Sequence, residues 1–120
     1  MIVIAHDIRS LHNVGAIFRS ADVFAAEKIY LTGITGTPPR KEIAKVALGS
    51  EHRIPWQHEN SVFEVIEQLK QEVYTIYAIE TGEDAEDIRL VENKEKSVLL
   101  VGNEVEGLQK EVLAVCDKRL

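Results

Sequence analysis

Arg19 is the side chain here with the clearest use in chemistry. It lies in Leu11-His12-Asn13-Val14-Gly15-Ala16-Ile17-Phe18-Arg19-Ser20-Ala21-Asp22-Val23, an otherwise amphipathic helical pattern that follows a short apolar run. A guanidinium carries a permanent charge and a fork of N–H donors. It can hold a phosphate bidentately and stabilise negative charge developing on an oxygen. It is a poor base, because its pKa exceeds about 12. Asn13 adds a neutral donor and acceptor to the same helix. A salt bridge for Arg19 and a helix cap for Asn13 are the plainer uses of these residues, and Ser10 suits the cap equally well.

The second chemical segment is Leu100-Val101-Gly102-Asn103-Glu104-Val105-Glu106-Gly107-Leu108. It follows an apolar strand, and ligands of open α/β sheets bind at the carboxyl ends of strands. Gly102 and Gly107 permit tight turns or close backbone approach to a ligand, and Glu104 places a carboxylate there. An ordinary turn with a solvated acid fits the same spacing. Common nucleotide fingerprints are absent. No G-x-G-x-x-G follows the first strand, and the Gly33–Thr37 segment lacks the P-loop spacing. His6, His12, His52 and His58 lack metal-ligand spacing, so no metal is expected.

These segments need a scaffold. Ile2 to Ala5, Lys28 to Thr32, Val73 to Ile79 and Ser97 to Val101 read as strands covered on both faces, and His52 to Trp56 as a brief one. Helical patterns lie over Leu11 to Val23, Arg40 to Leu48, from Ser61 (an N-cap with Glu64 three residues on), and over Leu108 to Val115. Asp117 to Leu120 reads as the approach to another strand. Strands alternating with helices predict an α/β fold, a parallel sheet with helices on both faces. The length of 120 residues suits one domain.

A net charge of −6 argues against whole-surface attraction to nucleic acid or an anionic membrane, so any such contact needs a local basic patch. Arg40, Lys41 and Lys45 form one, with Arg53 near in sequence; a solvated helix face is its plainer use. Trp56 can stack on a base, although core packing suits it better. No apolar stretch reaches the roughly 20 residues of a membrane span. The opening apolar run lacks a signal-peptide pattern, and the single Cys116 sits in an apolar helical run, so a cytoplasmic protein is expected.

Taken together, N-x-G-A-x-x-R-S-A at Asn13 to Ala21 and G-N-E-x-x-G at Gly102 to Gly107 resemble the SpoU/TrmH branch of the SPOUT RNA methyltransferases. The likeness runs along the whole chain and includes Lys45-Val46-Ala47-Leu48-Gly49-Ser50-Glu51. It implies an S-adenosylmethionine-dependent ribose 2′-O-methyltransferase acting on tRNA or rRNA. It further implies a homodimer in which the arginine of one subunit serves the other's pocket. The family fold ends in a deep trefoil knot, an exception to unknotted topology.

Carried onto this chain, the resemblance makes Arg19 the catalytic arginine, Asn13 its motif partner and Glu104 the acid of the second motif. Gly102 and Gly107 shape the cofactor bend, and Ile79, Glu80 and Thr81 contact the adenosine part. Arg40, Lys41 and Lys45 are the expected RNA contacts. The family's third motif does not occur before Leu120, so the expected domain, residues 1–120, lacks the knotted C-terminal segment. Two other readings stay open. One is a catalytically inactive RNA-binding or assembly module on the same fold. The other, weaker, is a flavodoxin-like regulatory domain with Asp7 as its phosphorylatable residue.

Overall fold

The β-branched runs become the centre of a six-stranded sheet. The computed structural model describes residues 1–79 and 94–120. Its strands are β1 (Ile2–His6), β2 (Lys28–Thr32), β3 (Trp56–Glu59), β4 (Thr75–Ile79), β5 (Ser97–Val101) and β6 (Lys118–Arg119). They lie in the order β3-β2-β1-β5-β4-β6, and every neighbouring pair is parallel. The helices are α1 (Leu11–Val23), α2 (Lys41–Ala47), α3 (Val62–Gln71) and α4 (Lys110–Ala114).

Period-two alternation divides the core. Ile2, Ile4, Ile76, Ala78, Val98 and Leu100 face α3 and α4. Val3, Ala5, Ile29 and Leu31 face α1 and α2. A smaller cluster of Tyr77, Leu99 and Leu120, with Met1 and Ile79 beside it, includes no helical residue. The expected α/β architecture with helices on both faces is what the chain adopts. The C-terminal strand foreseen at Asp117 to Leu120 is β6, which pairs with Tyr77 and Ala78 of β4.

Several boundaries differ from expectation, among them the strand expected from Val73, which starts at Thr75 after Val73 turns left-handed at φ 68°. The strand placed at His52 to Trp56 is a 3-10 turn at Ser50–His52 followed by β3 at Trp56–Glu59. Pro55 has no N–H to give a ladder, so pairing starts after it. The helix at Arg40 to Leu48 is shorter because Arg40 is its extended N-cap and Leu48 turns left-handed at φ 53°. The final helix spans only Lys110–Ala114, with Gln109 extended before it.

Gly15 sets the spacing of α1 against α2. A Cβ there would lie 2.7 Å from the Ile43 carbonyl oxygen and 2.9 Å from the Val46 Cβ. Any side chain at this position would push the two helices apart. Gly15 in this helix therefore has a packing cause.

Candidate active site

Register brings the chemical segments together. Val101 of β5 pairs with Ala5 of β1 on one side and Ile79 of β4 on the other. The chain thus leaves three adjacent parallel strands at one edge. β1 and β5 sit where the strand order reverses, since β2 and β3 lie beyond β1 while β4 and β6 lie beyond β5. That is the place where open α/β sheets form a ligand crevice.

The bend at 102–107 is built by its own residues. The Asn103 side-chain oxygen accepts the Val105 and Glu106 amides at 2.8 and 3.0 Å. The Gly107 amide donates to the Asn103 carbonyl at 2.8 Å, and Gly107 has φ +71°, which favours glycine. A Cβ on Gly102 would lie 2.6 Å from a Leu108 methyl and 2.9 Å from the Gly107 carbonyl carbon. Gly102 is therefore required for the bend to close on itself.

The bend is clasped to the loop that launches α1. Asn103 Nδ2 donates to the Asp7 carbonyl at 3.0 Å. Glu104 Oε1 accepts the Ser10 amide at 3.2 Å. Arg9 and Glu106 pair at 3.4 Å, both largely exposed. Ser10 is the helix cap, accepting the Asn13 amide through its hydroxyl. The Asn13 side chain is thereby spared that task, and it lines the groove beside the bend.

Two adjoining grooves share Ile79, Val101, Gly102 and Glu104. One, of about 460 Å³, runs between α1 (Asn13, Ala16, Ile17, Ser20) and the strand ends. The other, of about 430 Å³, lies within the bend and adds Gly107 and Leu108.

Beneath the loop, buried His6 bonds Thr32 through Nδ1 at 2.9 Å and approaches Asp7 at 3.3 Å through Nε2. Burial lowers the His6 pKa, and the Asp7 carboxylate opposes that shift. Asp7 itself holds φ 53° and accepts the Ile34 amide at 3.0 Å. Among the described residues, no three His, Cys, Asp or Glu side chains form a group that could hold a metal ion. None of the described helices is long and apolar enough to cross a membrane.

Residues 1–120 match the family described as SpoU rRNA methylase. The chain belongs to that family. A tRNA (guanosine(18)-2′-O)-methyltransferase of Thermus thermophilus is 27% identical over 117 residues, covering 98% of this chain and 59% of the relative. The AdoMet-bound rRNA methyltransferase of Sinorhizobium meliloti superposes with a TM-score of 0.82 at 29% identity, over 99% of this chain and 46% of that one. The SpoU methyltransferase AviRb of Streptomyces viridochromogenes, at 22% identity, shares the fold with a TM-score of 0.87, over 99% and 47%. The chain thus spans about half the length of such SpoU relatives.

The fold brings together Asn13, Glu104, Gly102, Gly107 and Ile79. Glu80 and Thr81 lie outside the described residues. Arg19 is exposed on α1 and lines neither groove of its own chain. Arg40, Lys41 and Lys45 are exposed on and before α2, where Arg40 meets Glu42 at 3.4 Å. Arg53, near them in sequence, is held by Asp22 through Nε at 2.9 Å and Nη2 at 2.6 Å. Asn103, which the motif spacing does not single out, builds the bend and ties it to the Asp7 carbonyl. Its signal was an Asn opening a turn that a glycine closes, the pattern of a side chain capping backbone amides.

Proposed function

We propose that residues 1–120 form one methyltransferase domain that uses S-adenosylmethionine to methylate a ribose 2′-hydroxyl of tRNA or rRNA in the cytoplasm. The observation that carries this reading is the clasp between the 102–107 bend and the loop leading into the helix of Asn13 and Arg19. It couples a ligand groove to the one helix that carries both a polar side chain in that groove and an exposed arginine.

The groove suits the cofactor. Ile79, Val101 and Leu108 offer apolar walls for an adenine, the bend offers backbone polar groups, and the Glu104 carboxylate favours a nearby positive charge. When bound, the cofactor supplies an electrophilic methyl on a sulfonium. Asn13 and Glu104 border the place where donor and acceptor must meet. Arg19 stabilises the negative charge that develops on the ribose oxygen and holds the adjacent phosphate. The proton passes to solvent, to phosphate or to another group, since arginine does not accept it. Fixing the oxygen in line with the methyl supplies further acceleration.

Because Arg19 lines neither groove of its own chain, the reading includes a homodimer in which Arg19 of one copy serves the bend of the other. Arg40, Lys41 and Lys45 contact RNA phosphates. Calorimetry with S-adenosylmethionine, paired with methyl transfer to RNA, tests the proposal. Cofactor binding should survive Arg19→Ala while turnover falls at least ~100-fold, the cost typical of losing one charge-stabilising donor. Folded protein with no cofactor affinity would favour a non-catalytic module instead.

A further inference from the structure

The loop between β2 and α2 closes a third groove, of about 640 Å³, on the β3 edge of the sheet. Its walls are Thr35 to Arg40 on one side and Trp56 and His58 of β3 on the other. This groove is preformed. The Gly33 carbonyl accepts His58 Nε2–H at 3.0 Å, the Ile34 amide is held by Asp7, and the buried Thr35 hydroxyl bonds the Ala5 and Thr32 carbonyls. Trp56 packs against the core yet remains partly exposed along the groove.

The polar groups that remain are suited to a nucleotide. With Nε2–H committed to a carbonyl, neutral His58 presents Nδ1 as an acceptor. Among the described residues, Arg40 is tied only by an exposed contact to Glu42 at 3.4 Å, with more than two-fifths of each side chain in solvent. A phosphate can replace such a partner. Lys41 follows Arg40 in the chain and Lys45 lies one turn further along α2, two more cations in a chain of net charge −6. An aromatic wall with flanking cations is the arrangement that binds single-stranded nucleic acid through base stacking and backbone contacts.

We infer that this groove is a subsite for one unpaired nucleotide of the RNA substrate, with its base on the Trp56 indole and its phosphate on Arg40. The inference rests on the proposed RNA substrate. β3 stands three strand spacings from β5, about 15 Å at the usual separation. The subsite therefore takes a nucleotide other than the one modified, and it orients the strand that leads to the 102–107 bend.

Trp56 is the only tryptophan of the chain and so reports directly on its own site. The experiment is a titration of the full chain with oligouridine, following tryptophan emission and acrylamide quenching, with RNA binding measured in parallel by anisotropy of a labelled oligomer. Saturable quenching and protection from acrylamide that track the anisotropy curve are expected. Trp56→Ala should weaken binding about tenfold, within the range for loss of base–aromatic stacking. Trp56→Phe, which keeps a ring in the core, should restore part of it. Arg40→Ala should weaken binding and flatten its salt dependence while leaving emission quenched at saturation. Anisotropy showing RNA bound with unchanged emission and acrylamide access would overturn the subsite and leave the RNA substrate standing. Cofactor binding in calorimetry, but no binding of any oligonucleotide, would overturn the subsite and the RNA reading of this chain together.

Discussion

The bend at 102–107, at the carboxyl end of the central strand β5, and the groove beside the outer strand β3 are built differently. In the bend, Asn103 satisfies two amides and a carbonyl, Glu104 holds the amide of a helix cap, and Gly102 leaves no room for a methyl. Beside β3, the backbone is pinned while the charged side chains stand in solvent, Arg40 touching only Glu42 at 3.4 Å among the described residues. The contrast separates two demands. A site that holds a small donor in line with an acceptor needs fixed atoms. A surface that follows a nucleic-acid backbone needs charges that can be exchanged.

Substitutions should expose that contrast, the largest effects falling in the bend. Gly102→Ala forces Leu108 and the Gly107 backbone to move, so a loss of ~1–3 kcal/mol in denaturant unfolding is expected. Gly107→Ala has open space around it and pays only for φ +71°, roughly 1–2 kcal/mol. A Gly102→Ala variant that lost no stability in denaturant unfolding would contradict the close packing around Gly102. Asn103→Ala strands the Val105 and Glu106 amides and the Asp7 carbonyl. A cost of about 1–3 kcal/mol and weakened cofactor binding should follow, and Asn103→Asp, which keeps the turn cap but loses the donor to Asp7, should be intermediate in stability.

The carboxyl end of β1 has a pH signature. His6 has a folded-state pKa below its ordinary 6.5 because it is buried. As pH falls through about 6.5 the unfolded chain takes up this proton first, so stability is full above that value and declines below it. His12, His52 and His58 are exposed. Replacing His6 with Gln should flatten the decline in unfolding free energy just below about pH 6.5, and an unchanged slope would assign it to another group. The smallest effect belongs to the β3 side. Arg40→Ala should change stability by under ~0.5 kcal/mol, because an exposed ion pair contributes little.

Much of this was legible because local chemistry repeats along the chain. The apolar runs at Ile2 to Ala5 and Ser97 to Val101 suited buried strands, and Ser61 with Glu64 three residues on marked a helix start, where the Ser61 hydroxyl accepts the Glu64 amide. That Asn13 and Glu104 belong to one site was implied by the family resemblance, and both line the groove between α1 and the strand ends. What escaped the sequence depends on distant partners. Asn103 acquires its role from a carbonyl 96 residues away. Gly15 acquires its role from the backbone of α2. Arg19 could be placed on its helix but not against a ligand, since a helix pattern gives direction only relative to its own chain.

The claim on which the rest depends is that the 102–107 bend holds the methyl donor. Amide chemical-shift mapping during a titration with S-adenosylmethionine tests it most directly. The account predicts saturable shifts concentrated at Ile79, Gly102, Glu104 and Gly107, with little change along Lys41–Ala47. Shifts confined to another edge of the sheet, or a folded spectrum unmoved at saturating cofactor, would contradict it.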